Sequence, residues 1–138
     1  SNNKRLGQCS KYLDAQAVNP DNKLIIENGF DIVFDTVGLE ITRQQAIRSI
    51  KPGGVIVHIG LSQPSGSFDF RKTTLQEITF IGTYCYTNKD FEKTLNILAR
   101  KEIGSLDWIE YRDLKNGSMA FKEIHEGSCA SPKIILLT

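Results

Sequence analysis

Two short apolar runs with a helical segment between them constrain the fold of this chain more than any other feature. FDIVFDTVG, residues 30–38, contains three contiguous apolar residues, as expected for a strand whose sheet is covered on both faces. Residues 41–50 carry apolar side chains at mostly helical spacing, and Pro52-Gly53-Gly54 predicts a break before a second strand at residues 55–59. Strand, helix and strand in this order build a right-handed crossover between parallel strands.

The rest of the chain continues the alternation of helices and strands. Further strands are predicted at residues 17–19, 78–84, 108–111 and 133–138, and helical segments at residues 3–13, 24–28, 88–100 and 116–126. Residues 62–67, SQPSGS, are typical of a loop. In the helix at residues 88–100, Phe91, Leu95 and Leu98 form a stripe that is expected to be core. The pattern therefore predicts an α/β chain with at least three parallel strands.

Composition excludes several classes of function. The chain has 138 residues, the size of one domain, and its 17 basic and 16 acidic residues leave no strong charge for nucleic-acid binding. Its apolar runs are too short to span a bilayer. Three widely spaced cysteines, Cys9, Cys85 and Cys129, argue against a disulfide framework and favour a reducing, cytoplasmic location.

A glycine lies at the carboxyl end of each of the three clearest strands. Gly38, Gly60 and Gly82 follow or end the strands at residues 30–38, 55–59 and 78–84. Ligands of open α/β sheets bind at this edge, and glycine lets a flat ligand approach the backbone without a Cβ in the way. The pattern leaves two interpretations open, a nucleotide-type ligand or ordinary turn glycines.

The order of four segments resembles the medium-chain dehydrogenase/reductase superfamily, and most closely its zinc-type alcohol and polyol dehydrogenases. The segments are FDIVFDTVG, KPGGVIVHIGL, ITFIGTYCYTNKDFEKTLNIL and FKEIHEGSCASPKIILLT. The resemblance implies a Rossmann-like, doubly wound parallel sheet, truncated at its N-terminal side, so that the first strand and the Gly-rich turn are missing. It also implies a partial cofactor domain at residues 1–104 and, at residues 105–138, a tail that returns to a separate catalytic domain.

The same resemblance implies which residues bind NAD or NADP. Arg5 matches a basic position that touches the adenosine ribose. Three further groups match the strand ends beside the cofactor: Thr36, Val37 and Gly38; Ile59, Gly60 and Leu61; and Thr83, Tyr84 and Cys85. Many polyol dehydrogenases have an arginine at the position of Cys85, which weakens the case for a polyol substrate.

Two parts of the family's machinery have no counterpart in the sequence. There is no GxGxxG turn to hold a pyrophosphate at a helix N-terminus. The family's zinc ligands also have no matching positions, so zinc would belong to the parent protein and not to this segment. We therefore expect hydride transfer between an alcohol and nicotinamide in the parent protein, and no catalysis by this chain alone.

Two other functions compete with this interpretation. A zinc-free NADPH quinone or enoyl reductase of the same superfamily also carries an FDTVG segment followed by a PGG turn. A non-catalytic module would keep the half fold for dimerisation or binding. The resemblance also implies that the strand at Ile78–Tyr84 lies at the sheet edge, where family members commonly pair, so we expect a homodimer through this strand.

His58 lies in the second strand and is one of only two histidines in the chain. It is interpreted either as a proton shuttle or as a packed histidine with one ring nitrogen hydrogen-bonded, and the position between two apolar residues favours the second.

Overall fold

The computed structural model describes residues 3–12, 14–19 and 26–138. Within these ranges the chain alternates helices and strands, which confirms the predicted α/β class. The helices are α1 (Asn3–Tyr12), α2 (Glu40–Ser49), α3 (Phe70–Leu75), α4 (Asn88–Ala99) and α5 (Gly117–His125), and the strands are β1 (Phe30–Asp35), β2 (Ile50–His58), β3 (Thr79–Gly82), β4 (Glu110–Asp113) and β5 (Ile134–Leu137).

The chain forms two compact units. One comprises Leu24–Thr87, and the other combines Ser1–Lys23 with Asn88–Thr138. The first unit holds β1, β2 and β3, the three strands whose ends carry the predicted ligand edge.

A parallel three-stranded sheet in the order β1-β2-β3 organises the first unit. This arrangement confirms the predicted minimum of three parallel strands. Val33 lies opposite Ile56 in the register, and both pack toward a small core to which α2 contributes Ala46 and Ile47. Ile50 is fully buried in the same core. One face of the sheet is therefore covered by α2.

The other face of this sheet is open. Ile32, Phe34 and Ile81 are exposed, and Phe34 and Ile81 both lie opposite Val57 in the register. The contiguous apolar run in β1 predicts a sheet covered on both faces, and this expectation is wrong for the described residues. Side chains alternate along a strand, so α2 can bury only the face to which Val33 belongs.

Strand β2 begins five residues before the predicted start. Pro52-Gly53-Gly54 lies inside β2 instead of before it, and the register with β1 shifts after the pair Phe30–Ile50. Gly53 has a φ of +73°, and a Cβ on Gly54 would lie 2.9 Å from the Asp31 carbonyl oxygen. Glycines allow this irregular stretch to stay in the strand as a bulge. The same residues also favour turns, which is why the predicted break before the strand is wrong.

The second unit contains the parallel pair β4–β5 and the helix α5. Arg112 of β4 joins these elements, because its guanidinium lies 2.7 Å from the Glu123 carboxylate and 2.6 Å from that of Glu110. The hydrogen bonds to Glu123 and Glu110 raise the pKa of Arg112 above its ordinary value. Cys129 is buried beside this group.

Two further expectations differ from the structure, and a third falls partly outside the described residues. Residues 17–19 form no strand. The helical turn predicted at residues 24–28 lies partly outside the described residues. In α4, Phe91 and Leu95 are 56% and 57% exposed, so the stripe expected to be core is largely on the surface. Helical spacing identifies an apolar face but does not say what covers it.

No helix within the described ranges is long and apolar enough to cross a bilayer.

Candidate functional site

Asp35, the last residue of β1, holds two strand ends together. Its carboxylate Oδ1 accepts hydrogen bonds from the backbone N–H groups of Val37 (3.1 Å) and Gly38 (2.9 Å). Its carbonyl oxygen accepts from the N–H groups of Ile59 (2.9 Å) and Gly60 (3.0 Å). Asp35 is only 4% exposed, so these four donors are fixed from the protein interior.

The segments at residues 36–38 and 59–61 touch through bare backbone, and we call their contact the strand-end junction. Gly38 has a φ of +76°, and a Cβ built on it would overlap the Gly60 carbonyl group and lie 2.9 Å from the Leu61 nitrogen. A Cβ on Gly60 would overlap the backbone of Val37. Both positions therefore require glycine, because no side chain fits between the two segments.

Apolar side chains flank the strand-end junction on the solvent side. Val37 and Ile59 are partly exposed, and Leu61 is 74% exposed. Backbone without a Cβ beside exposed aliphatic groups offers a flat apolar surface, to which a ring can pack. This surface is where the resemblance predicts a dinucleotide.

The end of β3 joins the same edge. The Thr83 N–H donates to the His58 carbonyl oxygen at 2.9 Å, and a Cβ on Gly82 would meet no atom within 4 Å. Tyr84 and Cys85 follow as exposed residues, and Cys85 has a φ of +57°. Nine of the ten predicted cofactor residues therefore lie at three successive strand ends of one unit. The tenth, Arg5, lies on α1 of the other unit.

The pairing of His58 with Asp35 was not predicted. The two residues are opposite each other in the β1–β2 register, and His58 Nε2 lies 3.6 Å from Asp35 Oδ2. Both atoms are buried and form no hydrogen bond. His58 is thus packed near a carboxylate, and its Nε2 is not the ring nitrogen that makes the expected hydrogen bond. The register of β1 with β2 brings the two residues together, because it places residues 35 and 58 side by side.

The His58 ring belongs to a cavity of about 520 Å³. The centre of the His58 ring lies 5.5 Å from the centre of the Phe80 ring. Phe80 packs edge-on against Phe68, with the two ring centres 5.2 Å apart. Gly60 and Leu61 of the strand-end junction also line this cavity. The junction therefore borders a cavity whose lining includes the aromatic rings of His58, Phe68 and Phe80.

Residues 62–67 form the loop that the sequence predicts, and α2 anchors it next to the strand-end junction. The Arg43 guanidinium donates to the carbonyl oxygens of Gly38 (2.9 Å), Gln63 (3.2 Å) and Ser65. The Glu40 carboxylate accepts from the Ser67 N–H and hydroxyl group, and these bonds lower the pKa of Glu40. Two charged side chains of α2 thus hold this loop beside the strand-end junction.

Comparison with known proteins assigns the chain to a family. Residues 2–100 match the zinc-binding dehydrogenase family. The chain belongs to this family. The chain is similar to the D-xylulose reductase of Saccharomyces cerevisiae, with 28% identity over 102 residues, or 73% of this chain and 29% of that enzyme.

Solved dehydrogenase structures show the same fold as this chain. The alcohol dehydrogenase TADH from Thermus sp. ATN1 superposes with a TM-score of 0.80 at 20% identity, covering 99% of this chain and 41% of that one. The acetophenone reductase of Geotrichum candidum, solved in complex with NAD, gives a TM-score of 0.71 at 19% identity over 90% of this chain and 35% of that one. The fold is therefore Rossmann-like, and the chain spans well under half the length of these proteins.

Zinc, which gives the family its name, does not fit the side chains that the structure describes. Residues 3–12, 14–19 and 26–138 contain no group of three or more His, Cys, Asp or Glu side chains that could hold a metal ion. The described part of the chain therefore offers no complete set of zinc ligands.

Replacing Gly60 by alanine should lower the free energy of unfolding by about 1–3 kcal/mol, because the new methyl group overlaps the backbone of Val37. Gly7→Ala is the matched control, because a Cβ there meets no atom within 4 Å and alanine is the better helix former in α1. Chemical denaturation followed by circular dichroism measures both. Equal stability of the two variants would show that the strand-end junction is not as tight as described.

Proposed function

We propose that this chain is the NAD(P)-binding portion of an alcohol or polyol dehydrogenase, in which hydride passes between an alcohol and the nicotinamide ring. Membership of the zinc-binding dehydrogenase family supports the reaction class. The observation that carries the proposal is the strand-end junction, where Gly38 and Gly60 leave bare backbone at the carboxyl edge of a parallel sheet.

Each strand end has its own part in binding the dinucleotide. Residues 36–38 contact the adenosine half, residues 59–61 lie along the nicotinamide, and residues 83–85 close over it. Arg5 contacts the adenosine ribose. When bound, the cofactor supplies the hydride chemistry, and these residues orient the ring and exclude water from one of its faces.

The remainder of the reaction belongs to the parent protein. This chain spans 29% of the yeast D-xylulose reductase, and no catalytic residue is assigned to it. We propose that residues 1–104 are part of a cofactor domain, that residues 105–138 return to a catalytic domain, and that the parent protein holds the zinc and the alcohol. The isolated chain is then inactive. Three widely spaced cysteines support a cytoplasmic location.

Calorimetric titration of NAD and NADP into the chain tests the proposal. We expect weak, saturable binding of one of the two, since the sequence has no GxGxxG turn for the pyrophosphate. Leu61→Asp should weaken that binding about tenfold or more, because it places a carboxylate against the apolar ring and near the cofactor's phosphates.

Leu75→Asp is the control for this experiment. Leu75 lies on α3 of the same unit and is exposed to a similar degree as Leu61. Its replacement should leave the affinity unchanged. Absence of saturable binding, or equal loss in both variants, would contradict the proposed site.

We also propose a homodimer formed through the edge strand at Ile78–Tyr84. β3 is one of the two edge strands of the sheet order β1-β2-β3, and all four of its residues are exposed. An exposed edge strand presents unpaired backbone groups that a second copy can pair with across a two-fold axis.

Ile81→Lys should raise the dissociation constant of this dimer about tenfold or more, because like charges would meet near the axis. Ile41→Lys on α2 is the matched control, since Ile81 and Ile41 are 45% and 53% exposed in the same unit. Sedimentation over a range of concentrations measures the constant. A wild-type chain that stays monomeric at all concentrations rules out the dimer.

A further inference from the structure

The cavity of about 520 Å³ that the strand-end junction borders lies entirely within the unit Leu24–Thr87. We call it the Phe70 cavity, after the most exposed of the four aromatic residues in its lining, His58, Phe68, Phe70 and Phe80. Its volume is within the range of about 300–1,000 Å³ that is usual for small-molecule sites. The Phe70 cavity is therefore large enough for part of a substrate.

The four aromatic rings form one continuous row. Phe68 packs edge-on against Phe70 and against Phe80, and the ring centres are 5.2 Å apart in each pair. The His58 ring extends the row, since its centre is 5.5 Å from that of Phe80. Phe70 and Phe80 are nevertheless 72% and 43% exposed. A large aromatic surface thus remains for contact with a further flat ring.

Polar side chains in the lining are bonded to the protein's own backbone. The Arg43 guanidinium donates to three carbonyl oxygens of the chain. Gln63 Oε1 accepts from the Glu40 N–H at 2.9 Å, and the Thr73 hydroxyl donates to the Asp69 carbonyl oxygen at 2.9 Å. These groups hold the walls of the Phe70 cavity in place. Their hydrogen-bonding capacity is used largely within the protein.

This lining favours one of the two substrate classes in the proposed function. A polyol carries a hydroxyl group on each carbon, and every hydroxyl gives up bonds to water when it enters a cavity. Burial of a hydroxyl without a new partner is unfavourable. An aromatic ring requires no hydrogen bond and gains contact with the exposed phenylalanine rings.

We propose that the Phe70 cavity receives an aromatic ring of the alcohol substrate, so that the parent protein acts on aryl alcohols and not on polyols. The ring packs against Phe70 and Phe80, and the carbon that bears the hydroxyl group lies toward Leu61. This inference rests on the proposed function, because a reacting carbon must touch the nicotinamide ring. Gly60 and Leu61, the proposed neighbours of that ring, line the same cavity.

Two neutral probes test the choice between the classes. 2-Naphthylmethanol and xylitol are titrated separately into the isotope-labelled chain, and the amide NMR signals are followed. Naphthylmethanol should cause saturable shifts at residues 68, 70, 73 and 80, with a dissociation constant at least about tenfold lower than that of xylitol. Equal affinities, or no saturable shift at these residues with naphthylmethanol, would overturn the inference.

A pair of variants tests the role of the aromatic row. Phe70→Ala should weaken naphthylmethanol about tenfold, because it removes one wall of the cavity. Phe34→Ala is the matched control, since Phe34 is 62% exposed in the same unit but belongs to the open face of the sheet. It should leave the affinity unchanged. An equal effect of the two substitutions, in variants whose circular dichroism matches that of the wild type, would contradict binding in the Phe70 cavity.

Addition of NAD or NADP to the same sample separates this inference from the proposed function. With both ligands bound, we expect nuclear Overhauser effects between the naphthyl protons and the nicotinamide protons. Nucleotide shifts at residues 36–38 and 83–85 without naphthylmethanol shifts at the cavity, or without those Overhauser effects, would overturn the inference alone. Naphthylmethanol binding without any nucleotide binding would overturn the proposed function, and with it the assignment of the ring to a substrate.

Discussion

The hydrogen bonds of Asp35 are the constraint on which the sheet edge depends. One buried residue accepts from four backbone N–H groups, two through its carboxylate and two through its carbonyl. Hydrogen bonds to a charged acceptor are stronger than neutral ones, and buried donors without partners are costly. Asp35 thereby fixes the turn after β1 against the end of β2. The glycines at positions 38 and 60 follow from this contact, because the two segments approach too closely for any Cβ.

The alternation of strands and helices was predictable from the sequence, because apolar spacing is a local property. Residues 30–35, 79–82 and 134–137 form strands inside the predicted ranges, and α2 and α4 differ from their predictions by one residue at each affected end. Pro52-Gly53-Gly54 was predicted to break the chain before β2, but it lies in a bulge within β2. The prediction failed because bulges and turns contain the same residue types. Only the pairing of β2 with β1 shows that the chain remains extended there.

The sequence did not predict which apolar faces are covered by other parts of the chain. The apolar residues of β1 and the stripe on α4 indicate faces that favour burial, yet Phe34, Phe91 and Leu95 are exposed. A pattern within one segment does not specify the partner that covers it. At the candidate site, too, one feature was predictable from the sequence and another was not. Glycines at the strand ends were visible in the sequence, whereas the proximity of His58 to Asp35 depends on the strand register.

We propose that the edge built around Asp35 is the surface that receives a dinucleotide. The most direct measurement is the amide NMR spectrum of the isotope-labelled chain during titration with NAD and with NADP. Binding at this edge predicts saturable shifts concentrated at residues 36–38, 59–61 and 83–85, with smaller changes on the other face of α2. Saturable shifts confined to other residues, or none with either nucleotide, would contradict it.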